Sequence, residues 1–291
     1  MKDRIQLKAY AKINLGLDVV RRREDGYHEV RMVMQTVQLY DKLTLNVLEE
    51  DDIRIKTNVD FLPVDESNLV YKAIKMLKDK YNIKQGMEID LFKCIPVAAG
   101  MAGGSTDCAA ALVGASRLFG LNLSNQDLME LGVKLGADVP YCIMRGTALS
   151  EGIGEVLTQL SPMPECFILI AKPPISVSTK FVYEHLDIAG VQKHPDIDGM
   201  VQAIKEGSLA GIAERMENVL ETVTIPAYPV IEEIKNVMKE QGAMNALMSG
   251  SGPTVFGIFE SEEAAQQAKK QIRKQKLANQ VYVVEPFTHI S

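Results

Sequence analysis

One loop of small residues, placed between a predicted strand and a predicted helix, constrains this chain most. The segment Met87–Ile95 alternates apolar and polar residues as a strand does, and the run from Ser105 to about Phe119 is rich in Ala and Leu, which favours a helix. Between them, every residue from Ala98 to Ser105 except Met101 is Gly, Ala or Ser. An anion could therefore lie against bare backbone N–H groups at the positive end of a helix dipole.

The same loop has a plainer interpretation, because small residues before a helix also permit tight packing of helix against strand. The loop alone does not separate phosphate binding from packing. The chain contains neither Gly-x-x-x-x-Gly-Lys-Ser/Thr nor Gly-x-Gly-x-x-Gly. Their absence excludes a P-loop protein, the usual dinucleotide fingerprint and the glycine loop of protein kinases.

Length and composition indicate a globular protein of two domains. The chain has 291 residues, of which 46% are hydrophobic and 24% charged. The linker-like segment Leu160–Glu165 predicts a boundary between domains 1–160 and 161–291. A net charge of −6 argues against nucleic acid or an anionic membrane surface as the main partner. The sequence contains no run of 18 apolar residues, so it predicts no membrane-spanning helix.

The cysteines favour a reducing compartment. Their positions, Cys94, Cys108, Cys142 and Cys166, have no metal-type spacing, and no leader precedes the predicted fold. We therefore expect free thiols in the cytoplasm. Whether the protein is a monomer or a homodimer stays open.

Strands and helices alternate in both halves. The apolar row from Ile5 to Val19 is too long for one flat strand and predicts two strands or a bend near Tyr10, and Asp25-Gly26 predicts a turn after it. Further strands are predicted at Val30–Leu39, Leu43–Val47, Ile53–Lys56, Phe167–Ala171 and Gln280–Val284, and on both sides of Ser249–Pro253. Helices are predicted at Asn68–Lys80, Ser124–Leu135, Ser176–Leu186, Ile197–Glu206, Leu209–Leu220, Val230–Gln241 and Ser261–Lys274. This pattern is typical of an α/β or α+β protein.

Lys12 and Asn14 share one face of the first predicted strand. An ordinary solvated strand face is the plainer interpretation. Against it, the segment Ala11–Leu15 places small and apolar residues around the lysine, and a partly buried ammonium group needs an anionic partner.

Asp138 is the candidate partner of Lys12. It lies in Gly136-Ala-Asp-Val-Pro140, where we expect an extended conformation past the end of a helix. The helix C-terminus would disfavour a carboxylate there, whereas a nearby Lys12 would favour it. A carboxylate held by a lysine can accept or orient a hydroxyl proton during phosphoryl transfer. The segment alone is equally consistent with a turn capped by an Asp side chain.

Tyr27 and His28 follow the predicted turn and offer an aromatic face beside an imidazole. A nucleobase could stack on Tyr27 while His28 binds its edge. An exposed tyrosine at the end of a hairpin is also common in proteins that bind no ligand.

Taken together, these segments resemble the GHMP kinases, which include galactokinase, homoserine kinase, mevalonate kinase and phosphomevalonate kinase. The segments that occur in the family's order are Ala11–Leu15, Pro96–Asp107, Gly136–Pro140 and Ala243–Gly257. The resemblance covers the chain from Lys8 to about Val284. Asp25–His28 narrows it to members that phosphorylate a cytidyl diphosphate-linked polyol, the methylerythritol of non-mevalonate isoprenoid synthesis.

The resemblance implies an ATP-dependent transfer of phosphate to the C2 hydroxyl of that polyol, with Mg²⁺. It implies Lys12 and Asp138 as the catalytic pair, with Asp138 as base or orienter. The residues implied to wrap the ATP phosphates are Pro96, Val97, Ala98, Ala99, Gly100, Met101, Ala102, Gly103, Gly104, Ser105 and Thr106, with the Ser249–Gly252 turn closing against them. The residues implied to bind the second substrate are Asn14 at its methylerythritol end, Tyr27 and His28 at its cytosine, and Thr179.

The implied fold is α+β, a GHMP-kinase fold. Its N-terminal domain resembles ribosomal protein S5 domain 2, its C-terminal domain is α/β, and the active site lies in the cleft between them. The family's loop usually reads Gly-Leu-x-Gly-Gly-Ser-Ser, so Met101 and Thr106 depart from it here. Met for Leu is close to isosteric, and Thr106 keeps a hydroxyl on a stiffer side chain.

Three alternatives remain at this point. A kinase of mevalonate or homoserine would have no use for Tyr27 and His28, because those acceptors carry no base. A ligand-binding regulator on the same fold would need neither Lys12 nor Asp138. RNA binding, suggested by the S5-like half, conflicts with the acidic net charge.

Overall fold

The computed structural model of the protein describes residues 3–191 and 193–288. The described strands are β1 (Arg4–Arg22), β2 (His28–Leu48), β3 (Ile53–Thr57), β4 (Gly86–Phe92), β5 (Thr147–Glu151), β6 (Val156–Gln159), β7 (Phe167–Lys172), β8 (Asn245–Met248), β9 (Val255–Phe259) and β10 (Gln280–Val284). The described helices are α1 (Leu69–Tyr81), α2 (Gly103–Leu118), α3 (Asn125–Gly132), α4 (Val139–Met144), α5 (Thr179–His185), α6 (Ile197–Lys205), α7 (Leu209–Glu214), α8 (Glu221–Ala227), α9 (Val230–Glu240) and α10 (Glu262–Lys274). None of these helices is long and apolar enough to cross a bilayer.

The described chain divides into two compact units that are discontinuous in sequence. The first contains the described residues up to Ala11, together with Leu39–Val97 and Ala102–Met144. The second contains Lys12–Gln38, Ala98–Met101 and the described residues from Arg145 onward. Strands β1 and β2 each run from one unit into the other. The predicted boundary near residue 160 stays a prediction.

The first unit combines the C-terminal part of β2 with strands β3 and β4 and with helices α1 to α4. Residues Lys42–Leu48 of β2 pair antiparallel with β4, and β3 pairs parallel with β4 on its other side. Helix α1 packs against α2, and α4 packs against α2 and α3. Asn68 caps α1 by accepting from the Val70 N–H, which satisfies one of the unpaired amides of the first turn.

The second unit is built on an antiparallel sheet of strand order β10-β7-β9-β8. Helices α9 and α10 pack on this sheet. In the same unit, residues Met32–Gln35 of β2 pair antiparallel with β5, which pairs with β6. The β8–β9 hairpin brings its turn, Ser249–Thr254, to the end of the sheet, and the Ser249 N–H donates to the Thr254 carbonyl at 2.9 Å.

Several predicted elements are confirmed, and others differ for local reasons. The capping box of Ser124 and Asp127 is present at α3. The two-strand alternative for residues 5–19 is wrong, because β1 continues through Arg22 with Ile13 and Leu15 fully buried. The predicted strands Val30–Leu39 and Leu43–Val47 belong to one strand, β2.

Two helix ends also differ from the prediction. Helix α3 ends at Gly132 instead of Leu135, and the separate helix α4 begins at Val139. Helix α7 ends at Glu214, well before the predicted Leu220. There the Asn218 side chain accepts from the Leu220 N–H, and such side-chain bonds compete with a continuing helix.

Candidate active site

The loop before α2 has an unusual backbone. Ala98, Gly100 and Ala102 have φ values of 50°, 72° and 56°, all in the left-handed region. An L residue costs about 1–2 kcal/mol in that region, and such strain is concentrated at functional sites. Left-handed residues at intervals along a loop are a feature of the nests whose N–H groups bind anions. Ala102 is also the N-cap of α2 and makes no side-chain cap, so the loop opens directly onto the helix terminus.

A buried ion cluster in the first unit holds both ends of this loop. Asp41 accepts the backbone N–H groups of Cys94 and Ile95, which precede the loop. Lys93 Nζ donates to Asp41 and, at 2.6 Å, to Asp107 near the N-terminal end of α2. Asp41 is 0% exposed and Asp107 2% exposed. The cluster therefore connects the strand side of the loop to its helix side.

The charges of this cluster do not balance. Burial alone would lower the pKa of Lys93, but Asp107 and Asp41 outweigh it, and the Lys93 pKa is raised. Burial raises the pKa of Asp107 well above its usual range against the opposing effect of Lys93, and the Asp41 carboxylate raises it further. One oxygen of Asp107, Oδ1, has no hydrogen-bond partner among the described residues. The cluster therefore places two carboxyl groups around a single ammonium group in the protein interior.

In the second unit, the Ser249 turn meets the tip of the loop. Ser249 Oγ donates to the Gly100 carbonyl at 3.0 Å. A Cβ at Gly100 would lie 2.2 Å from the Ser249 carbonyl oxygen, so only glycine fits there. The Lys12 N–H donates to the Met101 carbonyl at 3.2 Å. Residues 98–101 are therefore held by β1 and by the β8–β9 turn.

Lys12 and Asn14 are both buried on β1, with exposed fractions of 6% and 0%. The solvated-face alternative for them is therefore wrong. Lys12 Nζ donates to Asn14 Oδ1 at 2.8 Å, and Asn14 Nδ2 points to the Met32 sulfur at 3.1 Å. Asn14 thus fixes the direction of the lysine side chain.

Asp138 lies past the end of α3, as expected, but also immediately before a second helix, α4. It is half-buried in a turn, and its carbonyl accepts the Cys142 N–H at 3.0 Å as α4 begins. The extended conformation expected before Pro140 was wrong, because a proline in the first helical turn gives up no intrahelical bond. The dipole of α4 therefore favours, rather than opposes, a carboxylate at this position. Asp138 belongs to the first unit and Lys12 to the second, and their pairing stays a prediction.

Tyr27 lies in the turn between β1 and β2, and His28 follows it at the start of β2. Tyr27 is 60% exposed, and its N–H donates to Asp25 at 3.1 Å. The His28 ring lies 5.0 Å from the ring of Tyr183, centroid to centroid. Burial, with the positive charge of Arg22, lowers the pKa of His28, so its ring is neutral at pH 7.

Tyr183 is a candidate that the sequence patterns do not single out. It follows Thr179 by four residues in the predicted helix, and this spacing is the signal that places both on one helix face. Thr179 begins α5, and its hydroxyl lies 2.9 Å from that of Ser251 in the β8–β9 turn. The substrate-binding roles of these residues stay predictions.

Among the described residues, no group of three or more His, Cys, Asp or Glu could hold a metal ion.

Comparison with known proteins decides the family. The model of the GHMP kinases N terminal domain matches residues 68–146, and that of the GHMP kinases C terminal domain matches residues 200–278. The chain belongs to the GHMP kinases. The predicted family and mixed α/β fold are thereby confirmed.

Two relatives that match this chain over nearly its whole length carry the same name. A relative from Lachnospira eligens, called 4-diphosphocytidyl-2-C-methyl-D-erythritol kinase, is 63% identical over 98% of this chain and 99% of its own length. A relative of the same name from Bacillus subtilis is 49% identical over 97% of this chain and 96% of its own. A crystal structure of 4-(cytidine 5'-diphospho)-2C-methyl-D-erythritol kinase matches with a TM-score of 0.84 and 28% identity, covering 98% of this chain and 100% of that one.

Gly100→Ala tests the contact between loop and turn. We expect it to destabilise the protein and weaken nucleotide binding, because the new methyl group meets the Ser249 carbonyl. Gly207 is the matched control, with φ +67° and open space around its Cβ position. Gly207→Ala should cost about 1 kcal/mol for backbone strain, and Gly100→Ala a further ~1–3 kcal/mol for overpacking. Thermal unfolding measures the loss of stability in each variant, and ATP titration measures the loss of affinity. Equal effects of the two variants would contradict a specific role for the contact between Gly100 and Ser249.

Lys93→Met tests the ion cluster. We expect it to lower the free energy of unfolding by about 3–5 kcal/mol, because two buried carboxyl groups lose their counter-charge. Lys93→Met/Asp107→Asn should recover part of this loss, since one ionisable group then remains. Urea unfolding at pH 7 measures both.

The pH dependence of Lys93→Met gives a second readout. A carboxyl whose pKa is raised in the folded state contributes stability that is fully present below the ordinary Asp value of 3.8 and is lost as the pH rises through the folded value. The variant should therefore regain stability as the pH falls. Lys56→Met, which removes an exposed pair with Glu88, is the control and should change little. If Lys93→Met and Lys56→Met lose the same amount of stability, the charges of the cluster do not stabilise the fold.

Proposed function

We propose that the chain transfers the γ-phosphate of ATP to the C2 hydroxyl of 4-diphosphocytidyl-2-C-methyl-D-erythritol. The products are the 2-phosphate and ADP, and the step belongs to isoprenoid precursor synthesis by the non-mevalonate pathway. Relatives of that name, 63% and 49% identical over nearly the whole chain, support the substrate. The left-handed loop that opens onto the N-terminus of α2 is the observation that supports nucleotide binding most directly.

We assign the chemistry to Lys12 and Asp138. Phosphoryl transfer needs an aligned hydroxyl and compensation of the charge that develops on the transferred group. Asp138 would accept or orient the proton of the C2 hydroxyl, and Lys12 would hold Asp138 and offset the developing charge. Asn14, which already fixes Lys12, would contact the methylerythritol end of the substrate.

We assign the ATP phosphates to the loop from Pro96 to Thr106. Mg²⁺ in such sites is held largely by the phosphates it accompanies, with few protein ligands. The hydroxyls of Ser105 and Thr106 in the first turn of α2 are the side chains that would add ligands. When bound, the ion would neutralise charge on the β- and γ-phosphates.

We assign the cytosine to Tyr27 and His28, assisted by Tyr183 and Thr179. A neutral His28 can donate from one ring nitrogen and accept at the other, as recognition of a base edge requires. Tyr183 orients the His28 ring by packing against it.

We place the protein in the cytoplasm, and the four free cysteines support a reducing compartment. We retain 1–160 and 161–291 as the N- and C-terminal GHMP kinase domains.

Asp138→Asn tests the assigned base. We expect turnover to fall by about 10²–10⁴-fold while the Kd for ATP changes little, because the phosphate loop is untouched. Single-turnover assays and calorimetric ATP titration measure the two quantities. If ATP affinity falls together with turnover, Asp138 has a structural role instead.

Tyr27→Ala tests the assigned cytosine site. We expect kcat/KM for the cytidyl substrate to fall by an amount equivalent to about 1–3 kcal/mol, the usual effect of losing a base–aromatic stack. The KM for ATP should not change. ADP production with the cytidyl substrate, mevalonate and homoserine offered in parallel is the companion measurement. Turnover of mevalonate or homoserine above that of the cytidyl substrate would overturn the proposed substrate.

A further inference from the structure

Asn218 has a fully satisfied amide side chain in the interior of the second unit. It is 3% exposed. Its Nδ2 donates to the carbonyls of Met248 and Gly250, each at 2.8 Å, and its Oδ1 accepts the Leu220 N–H at 3.0 Å. Two donors on one atom and an acceptor on the other are what an amide provides and a carboxylate or hydroxyl does not. This arrangement therefore depends on the residue being Asn.

The two carbonyls that Asn218 binds lie on either side of Ser249. The hydroxyl of Ser249 in turn donates to the Gly100 carbonyl in the phosphate loop. The amide N–H of Met248 also donates to a half-buried side chain, Glu221, at 2.8 Å. The backbone that presents Ser249 to the loop is thus held on both its donor and acceptor sides.

The backbone around Asn218 is itself fixed to the strand that carries Lys12 and Asn14. The Leu17 N–H donates to the Glu217 carbonyl at 2.9 Å, and the Val219 N–H donates to the Leu17 carbonyl at 3.1 Å. The segment 217–219 therefore connects β1, through its backbone, to the Ser249 turn, through the Asn218 side chain, and the turn in turn contacts residues 98–101 of the loop. All of these residues belong to the second unit.

We propose that Asn218 is a positioning residue for the nucleotide site. It fixes the backbone at 248–250 so that Ser249 meets Gly100, and it thereby holds the left-handed part of the loop in its binding conformation. Asn218 acts through the turn and does not touch the nucleotide. This inference rests on the proposed function, because its effect on ATP requires that the loop bind ATP.

Asn218→Asp is the test, because it keeps the shape and the acceptor but replaces the double donor with a carboxylate oxygen. Leaving two buried carbonyls without donors should raise the KM for ATP by about tenfold or more. The KM for the acceptor substrate should change less than that for ATP. In the ligand-free protein, amide hydrogen exchange should become faster at 249–252 and at 98–101.

Asn245→Asp is the matched control. Asn245 Nδ2 also donates to a carbonyl, that of Ala213 at 2.7 Å, and the residue lies on β8 outside the turn. This variant should lose stability without changing the KM for ATP or the exchange at 98–101. If the two variants raise the KM for ATP equally, or if Asn218→Asp leaves exchange at 98–101 unchanged, the inference is overturned.

Ser249→Ala supplies a second arm that does not depend on the folding of Asn218→Asp. It removes the hydroxyl that meets Gly100, so it should raise the KM for ATP and speed exchange at 98–101 in the same way. The double variant should show less than the sum of the two single effects, because both act through one contact. Additive effects, or an unchanged Ser249→Ala, would overturn the inference. Because hydrogen exchange is measured without substrate, it tests the positioning role even if the protein turns over a different acceptor.

Discussion

Two stretches of backbone in the second unit approach so closely at Gly100 and Ser249 that only a hydrogen atom fits between them. The loop at 98–101 has no strand or helix of its own, so its left-handed conformation must be imposed by neighbours. The Ser249 hydroxyl and the Lys12 N–H provide that constraint. Close packing against the Ser249 turn requires small residues in the loop, and so does a ligand that lies against its backbone. The packing interpretation and the phosphate-binding interpretation therefore account for the same residues.

In the first unit, a charged side chain provides the hydrogen-bond acceptor that the backbone before the loop needs. The N–H groups of Cys94 and Ile95 leave the end of β4 with no strand to pair with, and a buried N–H needs an acceptor. Asp41 supplies it, which places a carboxylate in the interior. Lys93 compensates that charge and, by binding Asp107, joins the end of the strand to the N-terminal part of α2. Burial is the main cause of the raised pKa of Asp107, and the neighbouring Asp41 carboxylate raises it further against the opposing effect of Lys93.

Local chemistry was enough to predict the parts of the fold that depend on neighbouring residues. The Ser124 capping box, the Asp25-Gly26 turn and the glycine loop are all determined by residues a few positions apart. Asp41 and Lys93 are 52 residues apart, and Asn218 and Met248 are 30 apart. No periodicity or spacing relates such pairs, because the contact exists only once the chain has folded. The conformation of Asp138 was misjudged for a different reason, since Pro140 starts a helix there instead of preventing one.

The discontinuous units have a consequence for how the protein is made. The first unit contains no residue beyond Met144, so all of its segments have been synthesised when the ribosome is about halfway through the chain. The second unit needs Lys12–Gln38, an early segment, together with residues that follow Arg145. The paired strands β1 and β2 in this early segment acquire their other partners in the second unit only in the second half of translation. Pairing that distant in sequence is slow, so the growing chain leaves the surface of β1 that carries Lys12 exposed during much of its synthesis.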